Sequence, residues 1–255
     1  MLTWNQLEEA TKPCVSSLYE FTPESDFELI IVDNNSTDGT VEYLRKLKEK
    51  YGNVKVIFNE ENTGYSKGNN IGLREIGDAE YICLLNNDVS FTPDWLDIVL
   101  DVFKKDEKIG MVSPRIQKGK KLTKENYLQK YKKYLAKFKG EFSYNFTPLF
   151  CCVIIKREVF DKVGYLDENF SPAWFEDEDY SLRVLYAGYK NALSNKSFVF
   201  HDHSTTSAKL PEKEAILKHN RKYFYEKHPL GKYIYELQRK KWTRFIVRKI
   251  LPMEF

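Results

Sequence analysis

Up to Ser113 the chain alternates between short apolar runs and amphipathic stretches, and this alternation restricts the fold more than any other feature. Residues 27–33 form an apolar run that ends in Asp33. The polar loop Asn34-Asn35-Ser36-Thr37-Asp38-Gly39-Thr40 follows, and 41–50 places Val41, Leu44 and Leu47 at helical spacing among charges. That is the pattern of strand, loop and helix. The same reading predicts a strand over 54–58, a helix over 69–76, a strand over 81–85, a helix over 95–103 and a short strand over 110–113. Strands separated by helices imply a mostly parallel central sheet flanked by helices, an α/β fold.

The middle of the chain changes character. Residues 118–139 are rich in lysine and tyrosine, with Tyr127, Tyr131, Tyr134 and Phe138 at helical spacing. The stripe suits an amphipathic helix packed by its aromatic face, or a variable lid on the acceptor side of a site. Beyond Phe150 the alternation resumes, with strands expected over 151–155 and 197–200 and helices over 158–163 and 179–187. Gly188 closes the second helix, as glycine does at a helix end.

Composition narrows the classes further. A net charge of +3 over 255 residues gives no reason to expect a nucleic-acid partner. Cys14, Cys83, Cys151 and Cys152 lack paired CxxC spacing and read as buried free thiols of a reducing compartment. No run approaches the ~20 apolar residues that span a bilayer, and the start carries no secretory pattern. The expectation is a cytoplasmic protein, soluble or peripheral on the inner face of a membrane.

The chemistry concentrates in two places. Trp174-Phe175-Glu176-Asp177-Glu178-Asp179-Tyr180 runs an aromatic pair into four acids, and such crowding costs free energy unless a cation or a proton offsets it. Upstream, Leu84-Leu85-Asn86-Asn87-Asp88 ends an apolar strand in a carboxylate, where open α/β sheets place their ligands. His201, at the end of the 197–200 strand, adds an imidazole; His203 shares its face if the strand continues. A base, a carboxylate and an imidazole are the parts of a metal-assisted group transfer. A solvated acidic helix start is the plainer alternative for the acids. Asp33 suits hydrogen bonds from a base or ribose, whereas Asp38, before Gly39, also suits a turn or helix cap. Asp179 and Arg183, spaced i, i+4, suit a supporting ion pair.

Five segments in order carry a family resemblance: Thr3-Trp4-Asn5-Gln6; Val32-Asp33-Asn34-Asn35-Ser36-Thr37-Asp38-Gly39-Thr40; Asn62-Thr63-Gly64-Tyr65 with Gly68-Asn69-Asn70-Ile71-Gly72; Leu85-Asn86-Asn87-Asp88; and Phe175-Glu176-Asp177 with Arg183 and Gly188. Over residues 1–228 the chain resembles family 2 glycosyltransferases, inverting nucleotide-sugar transferases of the GT-A fold. Within that family it is similar to surface-polysaccharide and rhamnosyltransferase-like members of bacteria and archaea.

The resemblance implies a donor site at Thr3, Trp4, Asn5, Asp33, Asn35, Asp38, Asn62, Gly64, Lys67, Asn70, Asn86 and Asn87. It implies a divalent metal ion (Mn²⁺ or Mg²⁺) at Asp88 and His201. Asp177 becomes the general base, with Glu176 its rival, and Cys151, Trp174 and Arg183 belong to the acceptor pocket. The implied partners are a nucleoside diphosphate sugar and a glycan or lipid-linked acceptor. Asn86 stands where the family carries the first acid of its DxD motif, so it brings no charge. The family's central first strand should precede Thr3, where only Met1 and Leu2 stand, which leaves two sheet edges to be accounted for.

Residues 229–255 form a basic helical extension in this reading. Arg239, Lys240, Arg244 and Lys249 are interleaved with Trp242, Phe245 and Ile246, a composition that suits an interfacial helix on an anionic membrane or a helix packed on its own domain. Two other functions fit the same fold: a non-catalytic nucleotide-sugar-binding protein, and a sugar nucleotidyltransferase, which should carry a glycine- and lysine-rich phosphate loop near the start.

Overall fold

The computed structural model describes residues 1–118, 133–201 and 212–239. Strands β1 (Leu2–Thr3), β2 (Leu29–Asp33) and β3 (Val54–Phe58) pair in parallel in that order. A parallel bridge from Leu2 to Asn86 links β1 to the end of β4 (Tyr81–Leu85). From β4 the sheet continues through β8 (Cys152–Lys156), β6 (Ile109–Lys118) and β9 (Lys190–His201) to β5 (Val89–Ser90). β7 (Phe142–Tyr144) also pairs with β9. The β6–β9 ladder is parallel; β4–β8, β6–β8, β5–β9 and β7–β9 are antiparallel. The parallel order expected from the alternation thus governs the first half, and the second half is mixed.

Helices α1 (Lys12–Phe21), α2 (Thr40–Lys50), α3 (Gly64–Leu73) and α4 (Trp95–Phe103) accompany the first strands. α5 (Arg157–Val163), α6 (Glu176–Tyr186), α7 (Lys213–Lys227) and α8 (Pro229–Arg239) follow. Side-chain alternation along the strands separates two cores. Leu85, Cys152 and Ile154 pack with Val15, Leu18 and Val99 on one face, while Leu84, Val153 and Ile155 pack with Leu73, Val159 and Val184 on the other. A third cluster joins Phe170, Phe175, Leu182 and Phe224 and holds α7 against α6.

Two glycines let α3 come down onto the sheet. A Cβ on Gly68 would lie 2.5 Å from Leu2 Cδ1, and one on Gly72 would lie 3.2 Å from Val32 Cγ2. α3 accordingly begins at Gly64, ahead of the stretch that periodicity alone marks as helical.

β1 fills only one end of the space between β2 and β4. The rest is a cavity of about 390 Å³ whose walls are apolar on both sides of the sheet. Cys83 opens into it and is exposed, a correction to its expected burial; Cys14, Cys151 and Cys152 are buried and free as expected. The apolar run around Cys83 predicts a packed strand, but the neighbouring strand position is open.

Most of the expected helix over 118–139 and the whole segment 240–255 lie outside the described residues, as does His203. No helix among the described residues is long and apolar enough to cross a membrane.

Candidate active site

A cleft of about 440 Å³ opens at the carboxyl ends of β1 and β4, the edge at which α/β sheets hold ligands. Its construction begins with the turn after β4. Asn87 donates through Nδ2 to Thr3 Oγ1 (3.1 Å) and Thr11 Oγ1 (3.0 Å), fixing the turn to β1. Asp88 comes next, and the following strand pairs Val89 with His201. This register brings the imidazole to the carboxylate: His201 Nε2 lies 3.0 Å from Asp88 Oδ1. Asp88 Oδ1 is buried without an aligned hydrogen-bond partner, so it has an unmet demand for a cation or donor.

The opposite wall is a strained loop. Trp174 and Phe175 both have φ of 75°, a costly region for aromatic residues. Phe175 is buried against Phe224, with ring centroids 5.5 Å apart. Asn220 Nδ2 donates to the carbonyls of Ala173 (2.9 Å) and Trp174 (3.1 Å). Held this way, the loop delivers Glu176 and Asp177 to the cleft at the start of α6. Asp177 Oδ1 accepts the Glu178 amide at 3.0 Å. Burial, reinforced by the Asp177 charge, pushes the Glu176 carboxyl well above its ordinary range, and its Oε2 lacks a hydrogen-bond partner. The same two causes raise Glu178.

The third side comes from the 62–65 segment. Asn34 Nδ2 donates to Asn62 Oδ1 and to the Gly64 carbonyl, while Asn59 Nδ2 and the Thr63 hydroxyl donate to Asn34 Oδ1. The Tyr65 hydroxyl donates to the Phe150 carbonyl at 3.0 Å. Its pKa is raised by burial and then by the charges of Glu176 and Asp177. Burial, with Asp88 adding, likewise raises the Cys151 thiol.

The structure therefore gathers Thr3, Trp4, Asn62, Gly64, Asn86, Asn87, Asp88, Cys151, Trp174, Glu176, Asp177 and His201 around one cleft. The remaining candidates lie off its lining. Asp33 is 1% exposed and accepts the Ser36 amide and hydroxyl. Asn5 accepts the Thr37 amide, and Asp38 accepts from Leu7 N and Thr40, so these residues knit the two loops together. Burial alone would raise Asp38, but those donors hold its carboxyl below the usual value. Asn35 is exposed on the same loop. Lys67 reaches toward Glu61 at 3.9 Å. Asn70 is spent on the Leu166 backbone and Glu168.

Arg183 pairs with Asp179 at 2.8 Å and donates to two carbonyls, as its spacing suggested. Burial opposes the Asp179 charge, but His228, Arg183 and Lys227 hold its carboxyl below the usual value. The sequence reading missed Asn34 as an organiser, although it lies within a quoted motif. It also missed Asn220, a lone amide on a charged helix with no local signal.

Asp88 and His201 form a two-group donor set, and no cluster of three or more acid, histidine or cysteine ligands occurs among the described residues. The buried Asp88 oxygen, 3.0 Å from an imidazole nitrogen, nevertheless fits a divalent ion for which a ligand's phosphates and water would supply the remaining oxygens.

The fold is that of GT-A transferases. The structure matches GalNAc-T7, solved with UDP, GalNAc and Mn²⁺, at a TM-score of 0.67 and 19% identity, covering 90% of this chain and 49% of that one. The profile of glycosyl transferase family 2 matches residues 1–164, and the chain belongs to that family. An uncharacterized protein of Sinorhizobium fredii, y4gI, is 28% identical over 220 residues, covering 79% of this chain and 24% of that protein. An N-acetylglucosaminyl-diphospho-decaprenol L-rhamnosyltransferase of Mycobacterium tuberculosis is 19% identical over 238 residues, covering 79% of this chain and 75% of that protein. The chain spans 24%, 31% and 13% of the lengths of three relatives that it matches.

Proposed function

We propose that the protein transfers a sugar from a nucleoside diphosphate sugar to a hydroxyl of a glycan or lipid-linked acceptor, with inversion at the anomeric carbon. The observation that carries this reading is the shared cleft, with Asp88 and His201 on one wall and Glu176 and Asp177 on the other. Asp177 accepts the proton of the acceptor hydroxyl. The oxygen's lone pair forms the new bond to the anomeric carbon as the bond to the diphosphate breaks, and the diphosphate leaves with that electron pair. Asp88 and His201 would hold a divalent ion, Mn²⁺ or Mg²⁺, which would supply positive charge to offset that of the departing diphosphate. Asn62, Gly64, Thr3 and Trp4 border the donor; burial and the Asp177 charge favour the protonated form of Glu176 beside that base.

Residues 1–228 act as the transferase unit in this proposal. The first part of the basic tail, 229–239, packs on that unit through Tyr235 against Phe175 and Phe224, and the rest, 240–255, holds it on the inner face of an anionic membrane, where lipid-linked acceptors lie. The supporting observations are the family, the fold and the composition of the tail. The test is release of nucleoside diphosphate from a panel of UDP-, dTDP- and GDP-sugars with Mn²⁺ and candidate lipid-linked or polymeric acceptors. Acceptor-dependent release from one donor supports the reading. Saturable donor binding without release across the panel favours the non-catalytic alternative, to which the neutral Asn86 also belongs.

A further inference from the structure

Each of α7 and α8 turns one face to the domain and the other to solvent. On α7, Asn220 and Phe224 are buried against the loop that presents Glu176 and Asp177. On α8, a Cβ at Gly231 would lie 2.4 Å from Leu182 Cδ1, and Tyr235, one turn on, packs against Phe175 and Phe224. The junction between the helices is pinned as well. His228 Nε2 lies 2.7 Å from Asp179 Oδ1, and Lys227 Nζ lies 2.6 Å from the same oxygen. The inner faces are therefore fixed, and the outer faces border an open groove of about 870 Å³.

Two kinds of side chain meet in that groove. Lys218, Arg221, Lys222 and Lys232 line it against one acid, Glu226. Lys222 and Glu226 lie 3.7 Å apart and are both exposed, so the pair is weak and the excess of positive charge stands. The Nε of Arg221 is buried without a hydrogen-bond partner, a state that calls for an acceptor from outside the chain. Beside these cations are Leu230 and Tyr233, 74% and 65% exposed at i, i+3 on α8. Among the described residues they are the two most exposed large apolar side chains; Tyr186 follows at 56%. Apolar side chains opened to water beside a basic patch mark a contact surface.

The combination selects among occupants. A second copy meeting this face across a two-fold axis would bring lysines against lysines. A small soluble anion would leave Leu230 and Tyr233 in water. The surface of an anionic bilayer satisfies both groups: the lysines and Arg221 donate to headgroup phosphates, and the apolar pair enters at the boundary with the acyl chains. We propose that the outer groove of α7 and α8 is the face with which the protein docks on an anionic phospholipid bilayer. This docking rests on the membrane reading proposed above and gives it a described face, 218–233, in addition to the tail. The inner side of α7 holds the loop of Glu176 and Asp177, so docking on its outer side sets the orientation of the candidate cleft to the bilayer.

The experiment is co-sedimentation of the full chain with vesicles of phosphatidylcholine alone and of phosphatidylcholine mixed with phosphatidylglycerol. Three double variants are compared with the parent: Lys218→Gln with Lys222→Gln, Leu230→Ser with Tyr233→Ser, and Lys240→Gln with Lys241→Gln in the tail. Partition onto the mixed vesicles should fall ~10-fold or more in the first, which loses two cations. It should fall ~10-fold or more in the second, which loses two apolar contacts. The parent should not sediment with phosphatidylcholine alone, and inorganic phosphate should displace it from mixed vesicles no better than chloride of equal ionic strength. Both groove variants should melt with the parent, because the replaced side chains are exposed.

Binding of both groove variants equal to the parent's, with loss in the tail variant, would overturn the proposal and leave the membrane reading to the tail. No sedimentation of the parent with mixed vesicles would overturn both. Displacement by inorganic phosphate beyond matched chloride would assign the cations to a soluble anion instead. A lipid-free dimer that Leu230→Ser with Tyr233→Ser dissolves would place a second copy on the groove, and that too would overturn the proposal. Loss of binding in the groove variants at an unchanged melting point supports it; if one of them does not fold, the other decides in the same terms.

Discussion

The amide of Tyr65 donates to the carbonyl of Pro172 at 2.8 Å, joining the glycine-rich segment that opens α3 to the loop that presents Glu176 and Asp177. Gly64, one residue earlier, has φ of 78°, and a Cβ there would stand 3.0 Å from that same carbonyl oxygen. The two sides of the cleft thus meet through backbone, at a point where a side chain has no room. Gly64→Ala should cost ~1–2 kcal/mol from the left-handed backbone alone. Urea unfolding gives the value, and an unchanged midpoint would contradict the close approach.

The loop's other tether is Asn220, whose amide holds the Ala173 and Trp174 carbonyls. Asn220→Ala leaves two half-buried acceptors without that donor, at a cost of ~1 kcal/mol. Hydrogen exchange should accelerate first at 173–177, ahead of the strands. Uniform acceleration over the whole chain would mean that Asn220 supports the fold in general and not this loop.

Glu176 gives a pH signature. Its carboxyl is raised in the folded state by burial and then by the charge of Asp177. The unfolded value is about 4.3, so the stability linked to its proton is fully present below that pH. It is lost as pH rises from there through the folded value. Glu176→Gln has no proton to lose. The variant should therefore gain stability relative to the parent as pH rises from about 4.3, with the gap smallest at acid pH. A constant difference across the range, measured by thermal melting, would show that Glu176 ionises as freely folded as unfolded.

Asp177→Asn keeps the shape of the side chain and removes its basicity. Sugar transfer should fall by ~10²-fold or more, with donor affinity little changed. Retained turnover in this variant, together with loss in Glu176→Gln, would move the base to Glu176.

Much of this architecture was legible because local pattern and tertiary role agree. The strands over 54–58 and 81–85 and the helix over 95–103 lie where periodicity puts them. Where the two part, the fold depends on remote partners. β6 and β9 run well beyond their apolar runs because they pair with each other; Arg115, in the polar part of β6, bonds Asn195 of β9. α1, which begins after the wide helical turn Leu7–Thr11, was not foreseen, although Cys14, Val15 and Leu18 give it a buried face at helical spacing.

In the site, residue type was readable and direction was not. Asp33 and Asn70 sit in the quoted motifs yet turn inward to Ser36 and to the Leu166 backbone. Asp88 and His201 are distant in sequence, and only the β5–β9 register brings them together.

That pair carries the central claim, and calorimetry of nucleoside diphosphate binding with and without Mn²⁺ tests it most directly. The account predicts binding that Mn²⁺ strengthens in the parent chain, and loss of that metal-dependent part in an Asp88→Ala protein that melts as the parent does. Equal Mn²⁺-dependent binding by parent and variant would contradict it.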